Sequence, residues 1–476
     1  MNATTFFWHD YETFGISPRR DRPAQFAGIR TDAELNEIGA PVMQYCQPAP
    51  DYLPNPQACL LTGILPQTCL ERGLPEPDFA AAIERELAAP GTIGVGYNSI
   101  RFDDEVTRFL FWRNLIDPYA REWQNECGRW DLLDVVRCTY ALRPDGIEWP
   151  TNDEGRVSFK LEHLSAANGL VHEAAHDALS DVRATIALAR LIRARQPRLF
   201  DFCLKLRKKD AVIAEIGIGK PFLHISGRYG ADRGCIAVVW PLAQHPTNRN
   251  EIIVWDLAHD PAVLAGLSAT AIRERLFVRA EDLPEGTDRL PIKTLHINKS
   301  PIVIGNLKTL TPDMAARWGV DLVQAQTRAQ WLAQHGATPP ALWAEVFARE
   351  AGQAADVDED LYGGFLGQAD RRLLGRLRAL GGERLATERP AFEDGRLEEL
   401  FFRYRARGFP LTLDADERAR WQAHCAARLH EGEGGAQTLA EFFEQIDALS
   451  ETVDERGQDI LGALYDYAEQ IAPPPP

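Results

Sequence analysis

Asp10 and Glu12 stand two residues apart in FFWHDYETFG (residues 6–15), an apolar stretch closed by a turn glycine that reads as a strand of a buried sheet. Side chains on a strand alternate faces, so both carboxylates emerge on the same side. Two neighbouring anions repel each other and are costly in an apolar layer unless a cation holds them or water reaches them. Taken alone, the pair fits a solvated strand face better than a metal site. Asp103 and Asp181 add two more carboxylates, and His176 adds a proton acceptor. Together the five residue types suit two divalent ions roughly 3.5–4 Å apart, which clamp the attacking and leaving oxygens of a phosphodiester displacement while the histidine takes the proton of the attacking water. Oxygen-only ligands, with no cysteine or pair of histidines close by, favour Mg²⁺ or Mn²⁺ over Zn²⁺.

The elements that must position these groups are legible in outline. PAQFAGIRTD and the segment from Val42 to Cys46 continue a meander after the first strand, and a helix is expected from Asp78 to Ala89. Thr92 to Gly96 reads as a further strand, followed by a polar turn and a helix whose start holds Asp103 and Asp104. Acids are favoured there as caps, which accounts for one of the two. EAAHDALSDVRATIALARLIRARQP predicts a helix stopping before Pro197. His176 and Asp181 are five apart, about 140° around a helix axis, so they can face one pocket only if His176 precedes the helix and Asp181 lies in its first turn, with Asp177 as cap.

The chain has 476 residues, 45% of them apolar, enough for roughly three domains with ample core. No apolar h-region follows Met1 and no long uncharged apolar run occurs, so neither export nor a membrane span is expected. Eight scattered cysteines without C-x-x-C spacing point to reduced thiols and the cytoplasm. The net charge of −17 argues superficially against a polyanionic partner, yet the stretch from Glu431 onward carries eleven acids and one base. A basic band from Arg183 to Lys209 fits either a local groove or a solvated helix face. Aromatic and basic residues interleave at Arg108, Trp112, Arg113, Tyr119, Arg121, Trp123, Arg129, Trp130 and Arg137, a composition suited to a single-stranded nucleic acid, although Trp and Tyr are also ordinary core filler.

From about Lys220 the texture changes to short strands, FLHIS, CIAVVWPL, EIIVWDL, LFVRA, IKTLHI and PIVIG, spaced like a small β-barrel or sandwich with a helical insert near Pro261 to Glu274. Beyond Thr311 the pattern is helical to the end, with Pro473 to Pro476 a frayed tail.

HDYET, FDDE and AHDALSDV resemble the three motifs of the DEDDh 3′→5′ exonucleases. Longer strings, among them GYNSIRFDDEVTRFLFWRNLIDPYA, RWDLLDVVRCTYALRPDGIEWP, LHISGRYGA, HPTNRN, LHINKSP and YRARGFP, resemble the bacterial exodeoxyribonuclease I family over almost the whole chain. That resemblance implies an α/β RNase H-like exonuclease domain (1–196), an SH3-like β-barrel domain (197–350) and an all-helical C-terminal domain (351–472), with 473–476 a disordered tail. By motif, Asp10, Glu12, Asp103 and Asp181 would bind two Mg²⁺ ions, with Mn²⁺ able to substitute, and His176 would be the general base. DNA contacts are implied at Arg108, Tyr119, Trp123 and Arg137, and at Lys160, where the family pattern favours arginine; lysine keeps the charge and loses the two-pronged phosphate contact. The family also partners the acidic, apolar C-terminal tail of single-stranded DNA-binding protein, with Arg143 of ALRP as the expected contact.

The expectation is therefore a monomeric, Mg²⁺-dependent exonuclease that degrades single-stranded DNA from its 3′ end to 5′-mononucleotides in repair and recombination. The rivals are an exoribonuclease or a proofreading subunit, against which the roughly 280 residues beyond the first domain count, and a non-catalytic single-strand-binding scaffold, which has no reason to retain clustered anions.

Overall fold

The computed structural model describes residues 4–170, 177–217, 219–336, 339–348 and 355–474. Two compact units form from interleaved parts of the chain, the first from residues 1–128, 172–183 and 353–476, the second from 129–171 and 184–352.

In the first unit, strand β1 (Thr5–Thr13) lies between β2 (Pro23–Thr31), antiparallel to it, and β4 (Thr92–Gly96), parallel to it; β3 (Val42–Tyr45) pairs antiparallel with β2 at the edge. The alternation expected of β1 is realised. Phe7 and Tyr11 pack on one face with Phe26 of β2 and with Phe79, Ile83, Val106 and Leu110 from the helices Glu76–Leu87 and Asp103–Arg113. Asp10 and Glu12 therefore leave from the opposite face, as residues two apart must. A register shift between Glu12 and Thr13 ends the regular pairing with β2 just beyond the second acid.

The acidic C-terminal stretch folds as the helices Leu439–Ser450 and Glu455–Ile471. Their apolar stripes, Leu439, Phe442, Ile446, Ile460, Leu461 and Leu464, share one core with Phe14, Tyr52, Cys59 and Cys69 from the start of the chain. Each such buried side chain is worth about 1.5–3 kcal/mol, so charge density on the outer faces of these helices is compatible with a firmly seated inner face. Thr438 with Glu441 forms a reciprocal capping box, and Asp454 caps the last helix through the N–H of Gly457. A buried ion network fastens the helix Arg396–Gly408 in place: Arg407 pairs with Asp51 and Asp358, and Arg403 with Asp356 and Asp358.

In the second unit, following β5 (Gly128–Asp131), strands β6 (Phe222–Ile225), β7 (Ile236–Gln244), β8 (Glu251–Asp256), β9 (Ile292–His296) and β10 (Ile302–Ile304) form an antiparallel sheet in the order β10-β6-β7-β8-β9. Five of the six expected segments are strands. LFVRA is not: Leu276 and Phe277 end the helix Ala269–Phe277, because Ala269, Ile272 and Leu276 recur at helical spacing and are buried together. All eight cysteines are buried and unbridged. Among the described residues no helix is long and apolar enough to cross a membrane.

Candidate active site

One carboxylate oxygen each from Asp10, Glu12 and Asp181 lies within 4.8 Å of the other two. Asp10 and Glu12 reach this point from the face of β1 opposite Phe7 and Tyr11, and Asp181 from the first turn of the helix Ala178–Arg195. Asp177 stands at the start of that helix, its Oδ2 accepting from the Ser180 N–H at 3.0 Å and its carbonyl from the Asp181 N–H at 3.0 Å, the capping arrangement expected for it. Asp103 opens its own helix and turns its carboxylate to β1, where Oδ1 accepts the backbone N–H of Tyr11 at 3.1 Å, between the two acids of the strand. Four carboxylates separated by up to 171 positions are thus gathered at one strand.

Their electrostatics follow from that crowding. Glu12 is pushed up to about 8, by burial first and then by the charges of Asp181, Asp103 and Asp177. Asp10 is pushed well above the ordinary carboxylate range, again by burial first and then by Asp103, Glu12, Asp181 and Asp177. Such a cluster takes up a cation readily, since an ion relieves the repulsion that otherwise favours protonation. The donor set is all oxygen, which fits a hard divalent ion. His176 lies outside the described residues.

The two acids of FDDE were expected to include a helix cap. The N-cap position is Phe102, without a side-chain cap bond, and both acids serve distant partners instead. Asp103 goes to β1, and Asp104, 1% exposed, meets Arg121 at 2.5 Å. Long-range pairing wins because both carboxylates are buried, where an unmatched charge costs more than a missing cap. Arg121 was noted in sequence only as one of several interleaved bases, and nothing local distinguishes it from its neighbours.

The expected nucleic-acid contacts fall into different settings. Trp123 is 66% exposed, and with Trp112, Tyr119 and Phe365 it lines an apolar pocket of about 240 Å³ in the first unit. Arg108 is 5% exposed, with Nε and Nη2 on the two oxygens of Glu122 at 2.7 and 2.8 Å and Nη1 on Glu105 at 2.8 Å. Trp130 is core. In the second unit, Arg137 is partly buried and pairs with Asp134 at 2.7 Å, while Lys160 is exposed, with Glu162 at 3.7 Å. Arg143, also exposed and in the second unit, lines a notch of about 430 Å³ with Leu142, Pro197, Arg198, Leu199, Phe202 and Ile304.

Comparison with known proteins agrees with this geometry. The family model described as Exonuclease matches residues 7–189, which hold all four acids; Exonuclease I SH3-like domain matches 207–349 and Exonuclease I C-terminal domain matches 355–471. Exodeoxyribonuclease I of Escherichia coli (strain K12) is 45% identical over 98% of this chain and 98% of its own length. Exonuclease I from Methylocaldum szegediense, a moderately thermophilic protein, superposes with a TM-score of 0.94 at 48% identity, covering 98% of this chain and 99% of that one. A zinc-bound E. coli exonuclease I complex with single-stranded DNA superposes with a TM-score of 0.92 at 43% identity, covering 99% of this chain and 100% of that one.

By domain content the protein is an exonuclease, with an exonuclease domain, an SH3-like domain and a helical C-terminal domain in that order. The chain belongs to the exodeoxyribonuclease I family.

Proposed function

We propose that this enzyme removes 5′-mononucleotides one at a time from the 3′ end of single-stranded DNA, with Mg²⁺ as its natural ion and Mn²⁺ able to replace it. The observation that carries the reading is the meeting of Asp10, Glu12 and Asp181 within 4.8 Å, with Asp103 bonded beside them. The divalent ion and single-stranded DNA bound by the E. coli relative support it.

In this reading Asp10, Glu12, Asp103 and Asp181 hold two ions, which when bound supply charge to the attacking and leaving oxygens. His176, five positions before Asp181 in the sequence, takes a proton from the attacking water. That water's oxygen bonds to phosphorus, the bond from phosphorus to the penultimate 3′ oxygen breaks, and the departing oxygen acquires a proton. The released nucleotide keeps its 5′ phosphate and the strand regains a 3′ hydroxyl. Tyr119 and Trp123 offer faces on which bases stack, while Arg108, Arg137 and Lys160 offer charge to the phosphates. The sequential domains are 1–196, 197–350 and 351–472, with 473–476 a tail. Arg143 and its apolar notch would receive the acidic, apolar C-terminal tail of single-stranded DNA-binding protein. The enzyme works as a cytoplasmic monomer in repair and recombination.

Timed digestion of a 5′-labelled oligonucleotide, as DNA and RNA, single- and double-stranded, with Mg²⁺ or EDTA, tests the proposal. A ladder shortening from the 3′ end with single-stranded DNA and Mg²⁺, lost in Asp10→Ala, is expected. Preference for RNA, or equal digestion in EDTA, would sink it.

A further inference from the structure

Three guanidinium groups follow β1 in the stretch RRDR, those of Arg19, Arg20 and Arg22. Arg22 is buried and pairs with Asp358 at 3.2 Å, and Arg20 pairs with Glu359 at 3.0 Å. Arg19 is exposed and meets no carboxylate among the described residues; its guanidinium lies over the Phe109 ring, 5.7 Å from the centroid. A free surface arginine has about 2 kcal/mol of rotamer entropy to lose on capture. Two features hold this one beforehand. The turn that carries it is folded around a carboxylate: Asp21 Oδ2 accepts the Ser17 N–H at 2.7 Å, Oδ1 accepts the Tyr52 hydroxyl at 2.9 Å, and the Ser17 carbonyl accepts the Asp21 N–H at 2.8 Å. Gly15 makes room for that carboxylate, since a Cβ there would stand 2.2 Å from Oδ2. The ring is the second restraint: a cation over an aromatic face gains about 0.5–1 kcal/mol at an exposed site, and a guanidinium resting by its face keeps its N–H edge open.

This turn leaves the sheet at its acidic edge. β1 and β4 run parallel, so the segments that follow them emerge on the same side; Glu12 stands next to the end of β1, and Asp103 opens the helix that follows β4. Phe109 belongs to that helix, about 9 Å of rise beyond Asp103. We propose that Arg19 is a phosphate-binding residue, its open edge donating two parallel hydrogen bonds to a phosphodiester upstream of the one cleaved. The planar fork matches two non-bridging oxygens, and no carboxylate competes for it. Four acids on one edge repel a polyanion, and ions bound among them serve only the phosphate at the 3′ end. An uncompensated cation on the same edge offsets that repulsion for the phosphates behind it. The inference rests on reading the acidic cluster as the cleavage site.

Arg19→Gln, Arg19→Lys and Arg72→Gln test it, using equilibrium binding of a labelled oligothymidylate in EDTA over a range of salt, and cleavage of the same oligonucleotide with Mg²⁺. Arg72 is an exposed arginine whose one acidic contact is its neighbour Glu71 at 3.7 Å, so its variant removes the same charge elsewhere. Arg19→Gln should make the plot of log Kd against log salt shallower by about 0.7, the share of one phosphate on a single strand. A contact away from the reacting bond is made equally in the ground and transition states, so KM should rise at least about three-fold at low salt with kcat within about two-fold of the parent. Arg19→Lys keeps the charge and loses the fork, and should show the parent slope with an intermediate Kd. Arg72→Gln should match the parent throughout. A parent slope in Arg19→Gln overturns the proposal. An equal flattening in Arg72→Gln also overturns it by tracing the effect to net charge, and so does a fall in kcat with Kd unchanged. Asp10→Ala keeps the two readings apart: a misplaced cleavage site shows as retained cleavage in that variant, whereas a mistaken role for Arg19 shows as an unchanged slope.

Discussion

The backbone N–H of Tyr11 donates to Oδ1 of Asp103 at 3.1 Å, tying the first residue of a helix to the middle of a strand 92 positions earlier. Tyr11 lies between Asp10 and Glu12, so this bond seats a third carboxylate beside the two that share one face of β1. An amide oxygen could accept the same bond without carrying charge. Asp103→Asn should therefore fold normally, with a melting temperature equal to or above the parent because one source of repulsion on Asp10 and Glu12 is gone, while Mg²⁺-supported cleavage falls by at least about a hundred-fold. Differential scanning calorimetry beside a cleavage assay checks both halves; retained activity would remove Asp103 from the ion-binding set.

Glu12 supplies a pH signature of the metal-free protein. Burial, then Asp181 and Asp103, push its carboxyl up to about 8 from an unfolded value of 4.5, so the folded state binds the proton more tightly than the unfolded chain. The sign follows: in EDTA, stability declines as pH rises from about 4.5 to about 8 and levels off above. A divalent ion binds the ionised carboxylates, so stabilisation by Mg²⁺ should be larger at pH 8 than at pH 6. Melting temperatures across that range, with and without Mg²⁺, measure it. A stabilisation by Mg²⁺ that does not grow with pH would contradict the assignment.

The opposite sign holds for Asp51 and Asp358. Burial alone would raise both, but Arg407 and neighbouring guanidinium groups outweigh it and hold both carboxyls well below the usual range. Their contribution is complete above about pH 4, the unfolded carboxylate value, and is lost as pH falls below it toward the depressed folded values. Arg407→Met leaves two buried carboxylates short of their main partner and should cost about 3–5 kcal/mol, read as a lower urea midpoint at pH 7. A midpoint within error of the parent would mean that the network is dispensable.

Trp123 should separate binding from folding. At 66% exposure its removal leaves the core untouched, so Trp123→Ala should melt like the parent. Losing one stacking face is worth about 1–3 kcal/mol, or roughly 5- to 150-fold weaker binding of a single-stranded oligonucleotide in EDTA, measured by fluorescence anisotropy. Unaltered affinity would place the strand elsewhere.

Much of this enzyme was open to reading in the linear chain because the deciding physics there is local. Alternation along β1 puts Asp10 and Glu12 on one side whatever the rest of the chain does, and the cap residue Asp177 places Asp181 in a first helical turn. The change to short apolar strands after Lys220 marked the second sheet for the same reason. Where local pattern and long-range packing competed, local pattern misled: LFVRA has the composition of a strand, yet Leu276 completes a buried helical stripe. Asp104 has the position of a helix cap, and it is spent on a partner 17 positions away. Short-range periodicity follows from backbone geometry and is written in the residues themselves. Which charge meets which is settled only when distant segments pack and water leaves, since a charge stripped of water must find an opposite charge within a few ångströms, and only the folded chain determines what stands there.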